Sequence, residues 1–239
     1  MINLIDMILI VDNVINDDES KLLISEFETK KTIKEESREI NSEKNREANA
    51  DFIVLSPRTK THQIVNDKTN IMVGHYKDYI KKMDYFDTHG LISNLAYSHK
   101  YRILKYGIGQ SFHDHVDKLP FVFGSCTLAL NDDYEGGEFR FFRGHHKVKL
   151  KKGQGMIWPA DNFFVHGVDK ITKGCKYSMN SFLGDLFCIK NEASKMPSII
   201  ELFGVLRNEL ILQHKSAGDF YHKSSEESMI KLREGYEGR

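Results

Sequence analysis

Apolar and polar positions follow three different rhythms along this chain. In the first hundred residues, MILIVD (Met7 to Asp12) is a continuous apolar run and predicts a buried strand. NDDESKLLISEF then predicts a helix. Asn16 can cap it, Glu19 completes a capping-box pattern, and Asp17 and Asp18 suit the positive helix end. Leu23 and Phe27 share one face of that helix. From Glu28 to Asn49 the chain is charged and without apolar period, which predicts a mobile loop or frayed helix, with a substrate-covering lid as the functional alternative. Phe52 to Leu55 predicts a strand that ends before Pro57. Helical spacing through Val65, Ile71 or Met72, Tyr76, Tyr79 and Met83 predicts a helix over Ile64 to Phe86, packed on a sheet.

From Tyr101 to Leu186 short apolar runs (YRILKY, CTLAL, GGEFRFF, HKVKL, GMIWP, FFVHGV, YSMNSFL) alternate with glycine-marked turns. Strands at this spacing predict a sandwich or barrel rather than βαβ units, with an eight-stranded jelly roll as the natural candidate. Beyond it, Ser198 and Glu201 repeat the capping pattern, and Ile199, Leu202, Phe203, Leu206 and Leu210 form a helical stripe. The expected fold is mainly β with flanking helices: a double-stranded β-helix (jelly roll) supported by N-terminal and C-terminal helices. A single domain over 1–239 is expected, with a strand and helix support region at 1–100, the jelly-roll core at 101–188 and a helical extension at 189–239.

Composition narrows the function classes. Lys plus Arg and Asp plus Glu both number 34 in the 239 residues, which disfavours nucleic acid as a main partner. The three cysteines, Cys126, Cys175 and Cys188, show no metal-binding spacing and cannot all pair. No apolar run spans a membrane, and the N-terminus makes a poor signal peptide. A cytoplasmic protein with no membrane partner is expected.

Candidate chemistry centres on Tyr106 to Asp117, YGIGQSFHDHVD. On extended chain His115 and Asp117 point to one side, so they can share an ion with a third ligand from elsewhere. Two histidines and one carboxylate with open positions form the facial triad of non-haem Fe(II) oxygenases. His166, at the end of the strand-like FFVHGV, is the candidate third ligand. Lys176 lies ten residues further on and shares a face with Ser178, Asn180 and Phe182. An inward lysine is costly unless an anion meets it, and a dicarboxylate reaching from the metal would supply one.

These residues resemble the Fe(II)/2-oxoglutarate dioxygenases, prolyl 4-hydroxylase-like branch. The likeness rests on Tyr106, Gly109, Phe112, His115 and Asp117, then Gly136, Gly137 and Glu138, then His166 and Lys176, and covers roughly Tyr101 to Leu183. It implies Fe(II) on His115, Asp117 and His166, and 2-oxoglutarate held by Lys176 and Tyr106. Ser125 stands where the family has a threonine hydroxyl. O2 is the co-reactant and ascorbate a candidate reductant. The implied activity is hydroxylation of a substrate C–H, with a peptidyl proline in a protein or peptide as the leading substrate. Hydroxylation of a small molecule, sugar, lipid or nucleobase is the alternative. One departure concerns the substrate: the family's arginine before the GGE turn is Val122 here.

Competing assignments exist. His113 with His115 resembles a cupin motif, but that motif needs a glutamate near Leu119 and Pro120. His145 and His146 are adjacent, and so face opposite ways on a strand; a turn is expected there. Asp132, Asp133 and Glu135 lack EF-hand spacing and are expected in a solvated turn. Glu138 and Arg140 are expected to form a cross-strand or surface ion pair. Trp158 is expected in the core, a binding groove being the alternative. A non-enzymatic jelly-roll ligand-binding module stands as a third possibility.

Overall fold

The computed structural model describes residues 3–34, 50–83, 91–92, 94–117 and 122–184, together with the backbone of 203–205. By its internal contacts the chain divides at Gly204, and the fold below is that of the part before it. The described elements are β1 (Leu9–Val11), α1 (Asp17–Thr29), β2 (Ile33–Lys34), β3 (Asp51–Val54), α2 (Lys60–Ile80), β4 (Tyr97–Tyr106), β5 (Phe112–His115), β6 (Val122–Ala129), β7 (Glu135–Gly136), β8 (Phe139–Phe141), β9 (His146–Val148), β10 (Gly155–Pro159), β11 (His166–Val168), β12 (Ile171–Lys173), β13 (Lys176–Gly184) and β14 (Phe203–Val205).

Both halves of the expected capping box start α1. Asn16 Oδ1 accepts from Glu19 N at 2.9 Å, and Glu19 Oε2 accepts from Asn16 N at 3.0 Å. Leu23 and Phe27 are its buried face. α2 begins at Lys60, four residues before the apolar period, because Arg58 turns the chain at φ 66° and Thr59 caps the helix by accepting from His62 N. Of the two candidate core positions, Met72 is buried and Ile71 exposed. α2 lies close against β10: a Cβ on Gly155 would stand 2.4 Å from Met72 Sδ, so a larger residue there would push the Met72 side chain aside.

The main sheet runs β1-β10-β6-β13-β4-β3-β2, with β14 beside β4, and the second runs β5-β11-β8-β9. Four strands of each face one another (β10, β6, β13 and β4 against β5, β11, β8 and β9), which is the expected eight-stranded jelly roll. Leu104, Tyr106, Met156 and Trp158 from one sheet meet Phe139, Phe141, Val148 and Val168 from the other in a single core. A two-stranded β12-β7 ribbon closes one end.

Four expectations change. MILIVD yields only the three-residue edge strand β1, whose Ile10 is 41% exposed, because β10 is its sole neighbour among the described strands. The charged stretch begins with ordered structure: α1 continues to Thr29 and β2 pairs with β3; its remainder, 35–49, lies outside the described residues. The C-terminal stripe also lies outside them, except at Phe203–Val205, where the backbone is a strand rather than a helix. Glycine at 204 and β-branched Val205 weaken helix there. His166 opens a strand instead of ending one, because Asp161 folds the preceding residues into a turn by accepting from Phe163 N and Phe164 N. No helix among the described residues is long and apolar enough to cross a membrane.

Candidate metal centre

The site begins with a sheet change. After β4, Gly109 at φ 83° donates its N–H to Ile171 O at 2.8 Å, and the chain turns into the second sheet as β5. There His115 stands directly opposite His166 of β11, their ring centroids 4.4 Å apart. Asp117 follows two residues beyond His115. His115 Nε2 is 3.2 Å from Asp117 Oδ1, and His166 Nε2 is 3.3 Å from Asp117 Oδ2. The three ligand atoms lie within 4.8 Å of one another. Ligands at right angles, each about 2.1 Å from a shared ion, stand about 3.0 Å apart. The spacing therefore suits an ion with little rearrangement.

Hydrogen bonding sets the imidazoles for this task. His115 Nδ1 lies 3.0 Å from His113 O, and His166 Nδ1 lies 3.0 Å from Phe164 O. A carbonyl only accepts, so each Nδ1 carries a proton and each ring presents Nε2 to the Asp117 carboxylate. A cation shared by the two Nε2 atoms and the carboxylate would take the place of any proton between them. Burial pushes the Asp117 pKa up, but the two imidazoles outweigh it and hold the carboxyl well below the usual range. Phe141 and Trp158 pack on His166, with ring centroids 5.6 and 5.0 Å away.

Lys176 opens β13, directly opposite Tyr106 of β4. It is 2% exposed, donates from Nζ to Gly137 O at 2.7 Å, and sits 4.1 Å from the Phe139 ring centroid. Burial lowers its pKa to about 7, with Glu138 opposing from a distance. The GGE turn makes this contact possible. Gly136 and Gly137 both have positive φ, and a Cβ on Gly136 would stand 2.2 Å from Lys170 O. Along the same face the rows beyond Lys176 become half-buried at Arg102, Asn180 and Phe182, so the sheet passes from a closed end to an open one.

Ser125 of β6 lies opposite Trp158 of β10. Ser125 Oγ and Trp158 Nε1 are both buried with no hydrogen-bond partner among the described residues, so a polar ligand beside His166 would find two groups waiting. Trp158 was expected in the core, and it is there; its orphan N–H is what the sequence could not show. His113 takes part through its carbonyl, not as a ligand. His145 is exposed in the expected turn, and His146 enters β9. Asp132 and Asp133 bond Lys152 N and Asn131 in the expected turn, while Glu135 opens β7 and pairs with Lys173 of β12. One expected partnership is corrected: Glu138 stands 4.0 Å from Lys149, while Arg140 turns to Asp114 and Asp169 on the strands beside it.

The family model described as 2OG-Fe(II) oxygenase superfamily matches residues 101–184, the segment that carries the resemblance seen in the sequence. A PKHD-type hydroxylase from Caulobacter sp. (strain K31) is 36% identical in an 86-residue alignment that covers 30% of this chain and 37% of the relative; the match thus spans little more than a third of that relative's length. Among solved structures, the viral collagen prolyl hydroxylase of Paramecium Bursaria Chlorella virus-1, determined with 2OG, is 17% identical. It aligns over 75% of this chain and 96% of its own, with a TM-score of 0.54. A prolyl hydroxylase from Trichoplax adhaerens, in complex with a hypoxia inducible factor oxygen degradation domain peptide fragment, is 12% identical over 80% of this chain and 87% of its own, at 0.58. At these identities the structures share the fold. The resemblance to the 2OG-Fe(II) oxygenases, prolyl 4-hydroxylase-like branch, stands on sequence and fold together.

Proposed function

We propose that the protein is an Fe(II)- and 2-oxoglutarate-dependent dioxygenase that hydroxylates a substrate C–H, with a peptidyl proline as the leading substrate. The observation that carries this is the convergence of two imidazole Nε2 atoms on one carboxylate, each ring held from behind at Nδ1 by a carbonyl. Iron bound there, with 2-oxoglutarate and O2, supplies oxidative decarboxylation coupled to hydroxylation.

The chain's own share is holding, orienting and drying. His115, Asp117 and His166 hold the ion, and the two Nδ1–H bonds fix the ring planes. Lys176 meets the far carboxylate of the diacid, and the Tyr106 hydroxyl donates to the same end. Ser125 Oγ and Trp158 Nε1 offer further hydrogen bonds. Phe139, Phe141 and Trp158 keep water from this end of the barrel. Substrate enters from the half-buried side, where the Arg102 guanidinium stands 5.6 and 5.1 Å from the Phe52 and Phe182 rings.

A peptide substrate is in keeping with the peptide-bound Trichoplax structure. The buried Val122, at the position where the resemblance leads one to expect arginine, favours the second reading, a small-molecule substrate. A cytoplasmic setting suits the free thiols of Cys126 and Cys175, and ascorbate would serve as reductant.

The test is succinate release from 2-oxoglutarate in air by the Fe(II)-loaded protein, screened against proline-containing peptides and small metabolites. His166→Ala is expected to abolish both iron binding and turnover. Undiminished succinate release by that variant, or none from the wild type with any candidate, would refute the proposal.

A further inference from the structure

β5 and β11 bring the three candidate ligands together, yet they are four and three residues long and their pairing is irregular between His166 and Val168. Main-chain bonding over so short a ladder leaves the spacing of His115, Asp117 and His166 weakly determined. On the opposite face of the same sheet, one side chain spans it. Arg140 of β8 donates from Nε to Asp114 Oδ1 at 2.7 Å, from Nη2 to Phe112 O at 2.7 Å, and from Nη1 to Asp169 Oδ1 at 3.0 Å. Phe112 and Asp114 belong to β5, and Asp169 directly follows β11.

All three guanidinium nitrogens are thus used, and together they tie β8 to both ligand-bearing strands. Gly167, beside the His166 ligand, leaves room for this: a Cβ there would stand 2.6 Å from Nη2 and 2.7 Å from Phe112 O. Asp114 lies between His113, whose carbonyl orients the His115 ring, and His115 itself. The planar fork of arginine can serve three separate acceptors at once, whereas an ammonium presents its donors from a single atom.

We propose that Arg140 is a positioning residue for the metal centre. Without touching the ion, it fixes the separation of β5 and β11 and thereby the distance between the ligand atoms. The inference rests on the proposed metal site. It differs from an ordinary surface ion pair, which contributes little to stability and nothing to a distant site. Lys147 supplies the internal comparison, since it bonds the same Asp169, at 2.8 Å, but reaches neither Asp114 nor Phe112.

The experiment titrates the full chain with Fe(II) under anaerobic conditions and follows the visible charge-transfer band on adding 2-oxoglutarate. Thermal unfolding of the metal-free protein is measured in parallel. Arg140→Gln and Arg140→Lys are expected to weaken Fe(II) binding about tenfold or more, as lost outer-shell support does, and to shift or broaden the band. Lys147→Gln is expected to leave both unchanged. Should Arg140→Gln fail to fold, Arg140→Lys, which keeps the charge and loses the fork, carries the same readout. Fe(II) binding by a folded Arg140 variant within about twofold of wild type, or an equal loss in Lys147→Gln, overturns the positioning role alone. A wild-type chain that binds no Fe(II) overturns the metal site and the positioning role together.

Discussion

Titrating the metal-free chain between about pH 6 and pH 9 perturbs the Lys176 ammonium with no change of sequence. Its pKa is 10.5 in water and about 7 in the fold, lowered chiefly by burial. The folded value lies below the unfolded one, so the buried charge opposes folding in full below about pH 7, and the opposition fades as pH rises toward 10.5. At about 1.4 kcal/mol per tenfold change in proton affinity, the penalty is on the order of 5 kcal/mol. Because Lys176 is almost wholly buried, solvent screening reduces it little. A diacid whose carboxylate meets Nζ removes the penalty by binding the protonated form. Binding of 2-oxoglutarate above pH 7 should therefore take up a proton, and its affinity should fall about tenfold per pH unit up to pH 9. Calorimetry in two buffers of different ionisation heat reads both quantities. Lys176→Met should lose the pH dependence, raise the KM for 2-oxoglutarate strongly and leave Fe(II) binding in place. A dissociation constant that is flat across this range, with no proton taken up and no weakening in Lys176→Met, would show that Lys176 does not hold the diacid.

Two further expectations follow from single side chains. Asn16→Ala removes one half of the α1 capping box and should cost about 1 kcal/mol in urea unfolding, with turnover kinetics unchanged; a loss below about 0.3 kcal/mol would mean that Glu19 alone suffices. Trp158→Phe keeps an aromatic ring against His166 but deletes the buried Nε1–H. If that N–H serves the cosubstrate, its KM rises about fivefold, the equivalent of one neutral hydrogen bond; an unchanged KM would return Trp158 to a packing role.

The parts legible in the sequence are those fixed by local geometry. His115 and Asp117 follow from two-residue alternation, α1 from its capping residues, and the GGE turn from two glycines that must take positive φ. Lys176 was placed inside by its alternation with Ser178, and the register with Tyr106 puts it there. The parts that escaped depend on neighbours that sequence does not order. Arg140 alternates with Glu138, but which strands lie on either side of β8 decides its partners. The Asp161 turn overrode the apolar run before His166. The edge position of β1 exposes a residue that a central strand would bury.

The direct opposition of His115 and His166 has a consequence for folding. Slipping β11 by one residue against β5 would point one imidazole outward and abolish the proposed ion pocket. Only one of the alignments open to these two short strands can therefore be rewarded by a metal. An ion captured during folding would act as a proofreader, selecting the correct alignment and making its errors costly. Chelator-treated chains should then misalign in this sheet first, leaving the larger sheet and its helices assembled.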